Sequence, residues 1–276
     1  MMDKAKVSEL EKIANGIRRD IVTQVYSANS GHPGGSLSIA DVLTYLYFEK
    51  MNVNVDDPKW EDRDRFVLSK GHASPAIYAT LAAKGFFPKE ELVKFRNIES
   101  FLQGHPDMKH TPGVDMSTGS LGLGISAACG MALGGKTQKK DFRVYAVLGD
   151  GEIAEGQVWE AAMFAAHYKL DNLCAFIDNN GLQIDGEITK VMNSTPIDEK
   201  FKAFGWNVQM IDGHDFNAIE SAVNAAEAFK GAPSVIIMKT TKGKGVSFME
   251  GKASWHGAAP NKEQYEQAMN DLAMAD

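Results

Sequence analysis

Apolar residues recur along this chain at two spacings, and the alternation between them sets the first expectations. Leu10, Ile13, Ala14, Ile17, Ile21 and Val25 share one helical face. With Ser8-Glu9-Leu10-Glu11 as a candidate capping box, a helix is expected from there to about Ser27. A polar loop over 29–36 carries His32-Pro33-Gly34-Gly35 and leads into a second expected helix over 38–49. Arg65-Phe66-Val67-Leu68 reads as a short buried strand, and 74–84 as a helix. From Phe101 to Gly124 neither period holds, and a long aperiodic stretch in a compact domain usually has a function.

The later half alternates more regularly. The pattern predicts a helix over 125–133 ended by Gly134-Gly135, a strand over 143–148, a helix over 155–168 and a strand over 173–177. A helix near 198–204, a strand over 206–211, a helix capped by Asp215 and running to Ala228, and a strand over 235–238 follow. Such alternation implies right-handed crossovers and an α/β fold, a parallel sheet with helices on both faces. Neither an internal repeat nor a Gly/Ser linker interrupts it, so 1–276 reads as a single domain. Within it, 243–276 is an irregular, glycine-bearing loop followed by a short terminal helix at 262–272.

Composition narrows the partners. The 276 residues carry 29 Lys plus Arg against 36 Asp plus Glu, a net charge of −7, which disfavours nucleic acid. The basic clusters at Lys136–Lys140 and Lys239–Lys244 read as solvated loops. No apolar run reaches the roughly 18–20 residues of a membrane span, and the amino terminus has no apolar signal region. Cys129 and Cys174 lie in apolar segments and read as buried free thiols. A soluble, reduced, cytoplasmic protein is expected.

Three glycine motifs compete for the chemistry. Gly130 to Thr137 spells a P-loop, but a helix enters it and a strand leaves it, the reverse of what phosphate binding at a helix amino terminus needs. Gly122-Leu123-Gly124-Ile125-Ser126-Ala127 spells a dinucleotide fingerprint without the strand that should precede it. A phosphate-facing role for that loop stays open. Gly149-Asp150-Gly151 has the right context, since it ends an apolar strand just before a helix. Thirty residues on, the next strand ends in Asp178-Asn179-Asn180-Gly181. If those strands are neighbours, Asp150 and Asn180 meet at one sheet edge. A carboxylate, an amide oxygen and main-chain carbonyls then suit Mg²⁺ or Ca²⁺ together with a ligand's phosphates. The bland alternative is a Gly-Asp-Gly turn with a capping Asp and an unrelated Asn.

A GDG followed by an Asn-Asn at this spacing resembles the thiamine-diphosphate motif. The segments Ser27–Gly34, Asp64–His72, Gly104-His105-Pro106, Thr118–Gly122 and Ile184-Asp185-Gly186 resemble transketolase signatures, in order. The resemblance spans about residues 10–260 and covers only the diphosphate-binding half of that family. It implies that Asp150, the side chain of Asn180 and the carbonyl of Leu182 bind Mg²⁺, with Ca²⁺ or Mn²⁺ as substitutes. It implies that His72, Gly119, Ser120, Leu121, Gly151, Asn180 and His256 contact thiamine diphosphate, that Ile184 presses on the thiazolium, and that Glu155 joins a proton network across the subunit interface. His32, His105 and His256 would face the substrate.

Histidine suits this chemistry, because moving a ketol unit needs a base in one direction and an acid in the other. His110, His167 and His214 read instead as surface or satisfied core residues. The resemblance also implies what is missing, the pyrimidine-binding half and the C-terminal domain. The expectation is thus the N-terminal subunit of a split transketolase, in an α2β2 assembly with a C-terminal subunit, moving a two-carbon ketol unit from a ketose phosphate to an aldose phosphate. An α subunit of a 2-oxo-acid dehydrogenase and a non-catalytic module retaining the fold are the alternatives.

Overall fold

A computed structural model describes residues 2–273. Helix α1 (Lys4–Ala28) starts a turn earlier than the capping box suggested, because the Asp3 carboxylate accepts the Lys6 amide at 2.8 Å and Lys4 to Val7 extend the helix. It stops at Asn29, which adopts the left-handed conformation. The helix expected over 38–49 is broken. Pro33 starts a short α2 (Pro33–Leu37), Ser38 turns its hydroxyl inward, and α3 (Ala40–Tyr45) then ends in one π-turn over Leu46–Lys50.

Strand β1 (Arg65–Leu68) and helix α4 (Ser74–Lys84) lie where the pattern put them. Helix α5 (Leu123–Thr137) does not end at Gly134-Gly135 but passes through both. A Cβ on Gly135 would lie 2.9 Å from the Phe142 ring, so that glycine serves close packing rather than termination. Beyond it come β2 (Val144–Gly149), α6 (Gly156–His167) and β3 (Leu173–Asn179). A two-stranded hairpin, β4 (Leu182–Gln183) with β5 (Gly186–Glu187), and a single turn α7 (Ile188–Val191) were not foreseen. The order closes with α8 (Ile197–Ala203), β6 (Asn207–Asp212), α9 (Phe216–Ala228), β7 (Ser234–Lys239) and α10 (Lys262–Asp271). The Asp215 carboxylate caps α9 through the Asn217 and Ala218 amides.

The main sheet runs β1-β2-β3-β7-β6, all parallel. One apolar core joins a sheet face to α1, α3, α4 and α9, and a second joins the other face to α5, α6 and α8. Helices therefore cover both faces, as expected. Chain direction across the sheet reverses after β6, which returns inward to β7. Four strand ends, after β1, β2, β3 and β7, thus open on one edge, where α/β sheets hold ligands. Cys129 and Cys174 are buried free thiols. Among the described residues no helix is long and apolar enough to cross a membrane.

Candidate active site

The strand ends meet around a cavity of about 360 Å³. At its base lies Asp178, the penultimate residue of β3 and wholly buried. Its carboxylate accepts from Lys70 Nζ at 2.6 Å, Ser38 Oγ at 2.7 Å, Asn180 Nδ2 at 2.9 Å and the Thr240 hydroxyl. Burial acts to raise this carboxyl, but Lys70 and the hydroxyl donors hold it below the usual carboxylate value. Lys70, itself 2 % exposed, also donates to the Gly35 carbonyl at 2.6 Å. The knot thus joins the end of β1, α2, the end of β3 and the segment after β7.

Above it sit Asp150 and Asn180. The Asp150 carboxylate accepts the Gly181 amide at 2.6 Å and its neighbour Gly151 at 2.8 Å, so the ends of β2 and β3 are stitched through it. Burial and the facing Asp178 push Asp150 up to about 7. Asn180 is oriented by its bond to Asp178, which fixes Nδ2 and leaves Oδ1 to accept the Leu182 amide at 3.1 Å. Gly151 is tightly placed, since a Cβ there would meet Gln183 at 2.9 Å. The buried Gln183 Nε2 has no protein partner.

Three histidines crowd the cavity's other wall. His32 precedes Pro33 at the start of α2, His72 lies in the turn Gly71–Ala73, and His256 follows the turn Ala253–Trp255. Their ring centroids are 5.0–5.4 Å apart. Burial, then neighbouring cations, lowers all three. His32 falls to about 4, with Arg96 the largest charge effect, and His256 to about 3, with Lys242 the largest. His72 falls well below its ordinary value, Lys70 adding to burial. All three rings are therefore neutral near pH 7. Lys242, 3 % exposed, approaches His256 Nδ1 at 3.1 Å. Burial and then the charge of Lys70 bring its ammonium down to about 8.

The expected site residues largely converge. His32, His72, His256, Glu155, Gly119, Leu121, Asp150, Gly151, Asn180, Leu182 and Ile184 all line the cavity. His105 lies just outside that lining, its ring against Gly119, where a Cβ would come within 3.3 Å. Ser120 is exposed on the outer side of the same loop. His214 is satisfied, donating to Asp41 at 2.7 Å and accepting the Thr241 amide at 2.9 Å. His110 is exposed and pairs with Asp107 at 2.5 Å, and His167 is exposed.

One reading is corrected. Lys239–Lys244 is not a solvated loop throughout, because Lys242 is buried in the cavity wall, held there by the fold of 241–256 against α2. The Gly243 amide bonds the Gly34 carbonyl at 2.9 Å and fixes that docking. Lys136 does lie far from the cavity, paired with Asp171 at 2.6 Å near the start of β3. Sequence reasoning also passed over Lys70, Asp178 and Glu152. Lys70 and Asp178 lie within the recognised segments and Glu152 directly follows one, and the clearest signal was Asp178, a charged residue inside an otherwise apolar strand end.

A parallel α/β sheet with glycine turns, a buried acid beside a half-buried amide and two buried lysines at its carboxyl edge defines a domain for a phosphate-bearing ligand. Residues 10–276 match the family model described as transketolase, thiamine diphosphate binding domain. The chain is 47% identical over 264 residues to a 6-deoxy-6-sulfo-D-fructose transketolase subunit of Clostridium sp. (strain MSTE9), covering 96% of each. It is 44% identical over 268 residues to an apulose-4-phosphate transketolase subunit of Phocaeicola vulgatus, covering 97% of this chain and 95% of the relative. The crystal structure of transketolase from Campylobacter jejuni superposes with a TM-score of 0.91 at 34% identity, over 98% of this chain and 43% of that one. This chain belongs to the transketolase family, as its N-terminal, thiamine-diphosphate-binding subunit.

Proposed function

We propose that this chain is a single diphosphate-binding domain supplying one side of a shared transketolase site, with a separate C-terminal subunit supplying the pyrimidine-binding side in an α2β2 assembly. Two relatives of matching length are named as transketolase subunits, which supports a two-chain enzyme. The donor is a ketose phosphate and the acceptor an aldose phosphate.

The observation that carries this reading is the Asp150–Asn180 pair, brought together by adjacent strands inside a cavity that also holds Lys70 and Lys242. The donor set fits Mg²⁺. Among the described residues no group of three His, Cys, Asp or Glu side chains is placed for a metal. One carboxylate, the Asn180 amide oxygen and the Leu182 carbonyl would instead supply an all-oxygen set. Asp150 also faces the Asp178 carboxylate, and among the described residues no cation forms an ion pair with Asp150 itself, so a dication would offset that repulsion. Asp178 holds Asn180 Nδ2, so Oδ1, which already accepts the Leu182 amide, is the atom that would also meet the metal, the usual outer-shell support for a ligand.

Gly119–Leu121, Gly151, His72 and Asn180 would hold thiamine diphosphate, with Lys70 and Lys242 balancing its phosphate charge. When bound, this cofactor supplies the carbanion. Ile184, 65% exposed on the hairpin, is an apolar surface for the thiazolium. His32, His105 and His256 would meet the sugar's oxygens, each neutral ring accepting one hydrogen bond and donating another. In this role they take a proton from the donor's hydroxyl in cleavage and return it in the reverse addition. Glu155, exposed at the start of α6, would carry the proton network toward a neighbouring subunit.

Calorimetry on the chain co-purified with its partner subunit tests the assignment. Thiamine diphosphate is expected to bind only with Mg²⁺ present, and chelation by EDTA to abolish binding. Asp150→Asn and Asn180→Ala are each expected to weaken binding at least about tenfold, as lost ligands do. Equal binding with and without Mg²⁺ would refute the metal set.

A further inference from the structure

Glu152 follows the Gly149-Asp150-Gly151 turn and is 3 % exposed. Its Oε1 accepts from Ser69 Oγ at 2.5 Å and from the Gly122 amide at 3.0 Å, and its Oε2 accepts the Gly149 amide at 2.9 Å. These donors belong to three segments distant in sequence, the end of β1, the loop before α5 and the end of β2. Each runs directly into the cavity wall. Ser69 leads to Lys70 and His72, Gly122 follows Gly119 and Leu121, and Gly149 opens the turn that carries Asp150.

Resting on the function proposed above, we propose that Glu152 is a positioning residue that sets the spacing of the cradle for the cofactor's diphosphate. A carboxylate so near an anion's seat would be unfavourable if its task were contact. Its geometry points elsewhere, for although Glu152 borders the cavity, both its oxygens are taken up by main-chain and hydroxyl donors. Only an ionised carboxylate offers two acceptor oxygens with no N–H of its own. Glutamine offers one, so in either orientation its amide N–H₂ opposes a main-chain N–H of Gly122 or Gly149 and leaves it buried without an acceptor. Aspartate, one methylene shorter, cannot span the same gap. The glycines leave no slack, since a Cβ on Gly122 would meet Glu155 at 2.9 Å and one on Gly124 would strike the Ser69 main chain at 2.6 Å.

In the test, thiamine diphosphate is titrated at saturating Mg²⁺ into the chain paired with its partner subunit. Glu152→Gln is expected to weaken cofactor binding about tenfold, the cost of one orphaned buried N–H, while kcat at saturating cofactor falls by much less. Ser69→Ala keeps both main-chain bonds and is expected to cost less than about threefold. Independently of any variant, hydrogen exchange on the cofactor-free wild type should show the Gly122 and Gly149 amides protected to the level of the β2 core. The proposal is overturned if Glu152→Gln binds cofactor within twofold of wild type, if its kcat, affinity and melting temperature fall together, or if those two amides exchange freely. A wild-type complex that binds no thiamine diphosphate overturns the functional reading as well, whereas normal wild-type binding with an unaffected variant overturns this proposal alone.

Discussion

Two lysines buried within one cavity are unfavourable unless something negative sits between or beside them. Asp178 answers Lys70, but among the described residues Lys242 has only His256 within hydrogen-bond reach, and its ammonium falls from 10.5 to about 8. A base whose folded value is depressed binds fewer protons than the unfolded chain between those limits, so stability rises with pH from about 8 to 10.5. Below that window the penalty is complete. Lys242→Met is therefore expected to stabilise the cofactor-free chain at pH 7, by up to about 3 kcal/mol, and to weaken thiamine diphosphate binding. The stabilisation should shrink as pH rises through the window, and urea melts of both proteins at several pH values would show it. Asp178→Asn strands Lys70 instead and is expected to cost about 3–5 kcal/mol in the same melts. Asp150 and Asn180 could be read from sequence because glycine turns mark them. Lys70, Asp178 and Lys242 could not, because their meaning depends on packing between segments far apart in the chain. Lys242 in particular sits in a run of lysines whose other members face solvent.

Helix α5 shows what pattern reading gets right and wrong for a whole element. Its existence and direction followed from the apolar period, and with them the rejection of Gly130–Thr137 as a P-loop. Its end was misplaced because glycine has two uses, as a left-handed terminator and as a residue that permits close approach. Gly134 is helical and has neither use, whereas Gly124 has the second, so the two respond oppositely to alanine. A Cβ on Gly134 meets no atom within 4 Å, so Gly134→Ala is expected to stabilise the chain by about 0.5–1 kcal/mol. Gly124→Ala drives a methyl into the Ser69 main chain and is expected to cost about 1–3 kcal/mol. Thermal melts of the two variants should shift in opposite directions. The β4–β5 hairpin stayed invisible for a different reason, since strands of two residues are too short to show any period. It nevertheless carries Leu182 and Ile184 into the site.

At the scale of the molecule, strand order does the assembling. Sequence alternation left the adjacency of β2 and β3 as a condition, which the sheet meets, and said nothing of β7 lying beside β3 with β6 outside it. That order delivers the 240–256 segment, with Lys242 and His256, to a cavity begun by residues some 200 positions earlier in the chain. The cavity gathers a carboxylate–amide pair, two buried lysines and three histidines, and the superposed Campylobacter jejuni transketolase is more than twice as long as the part matched here. The account's central claim is that this chain is one side of a site completed by another. Ketol transfer from a ketose phosphate to an aldose phosphate, followed with thiamine diphosphate and Mg²⁺, tests it most directly when the chain is assayed alone and with its partner subunit. Transfer is expected only from the pair. Transfer by the purified chain alone, or none from the pair, would contradict the account.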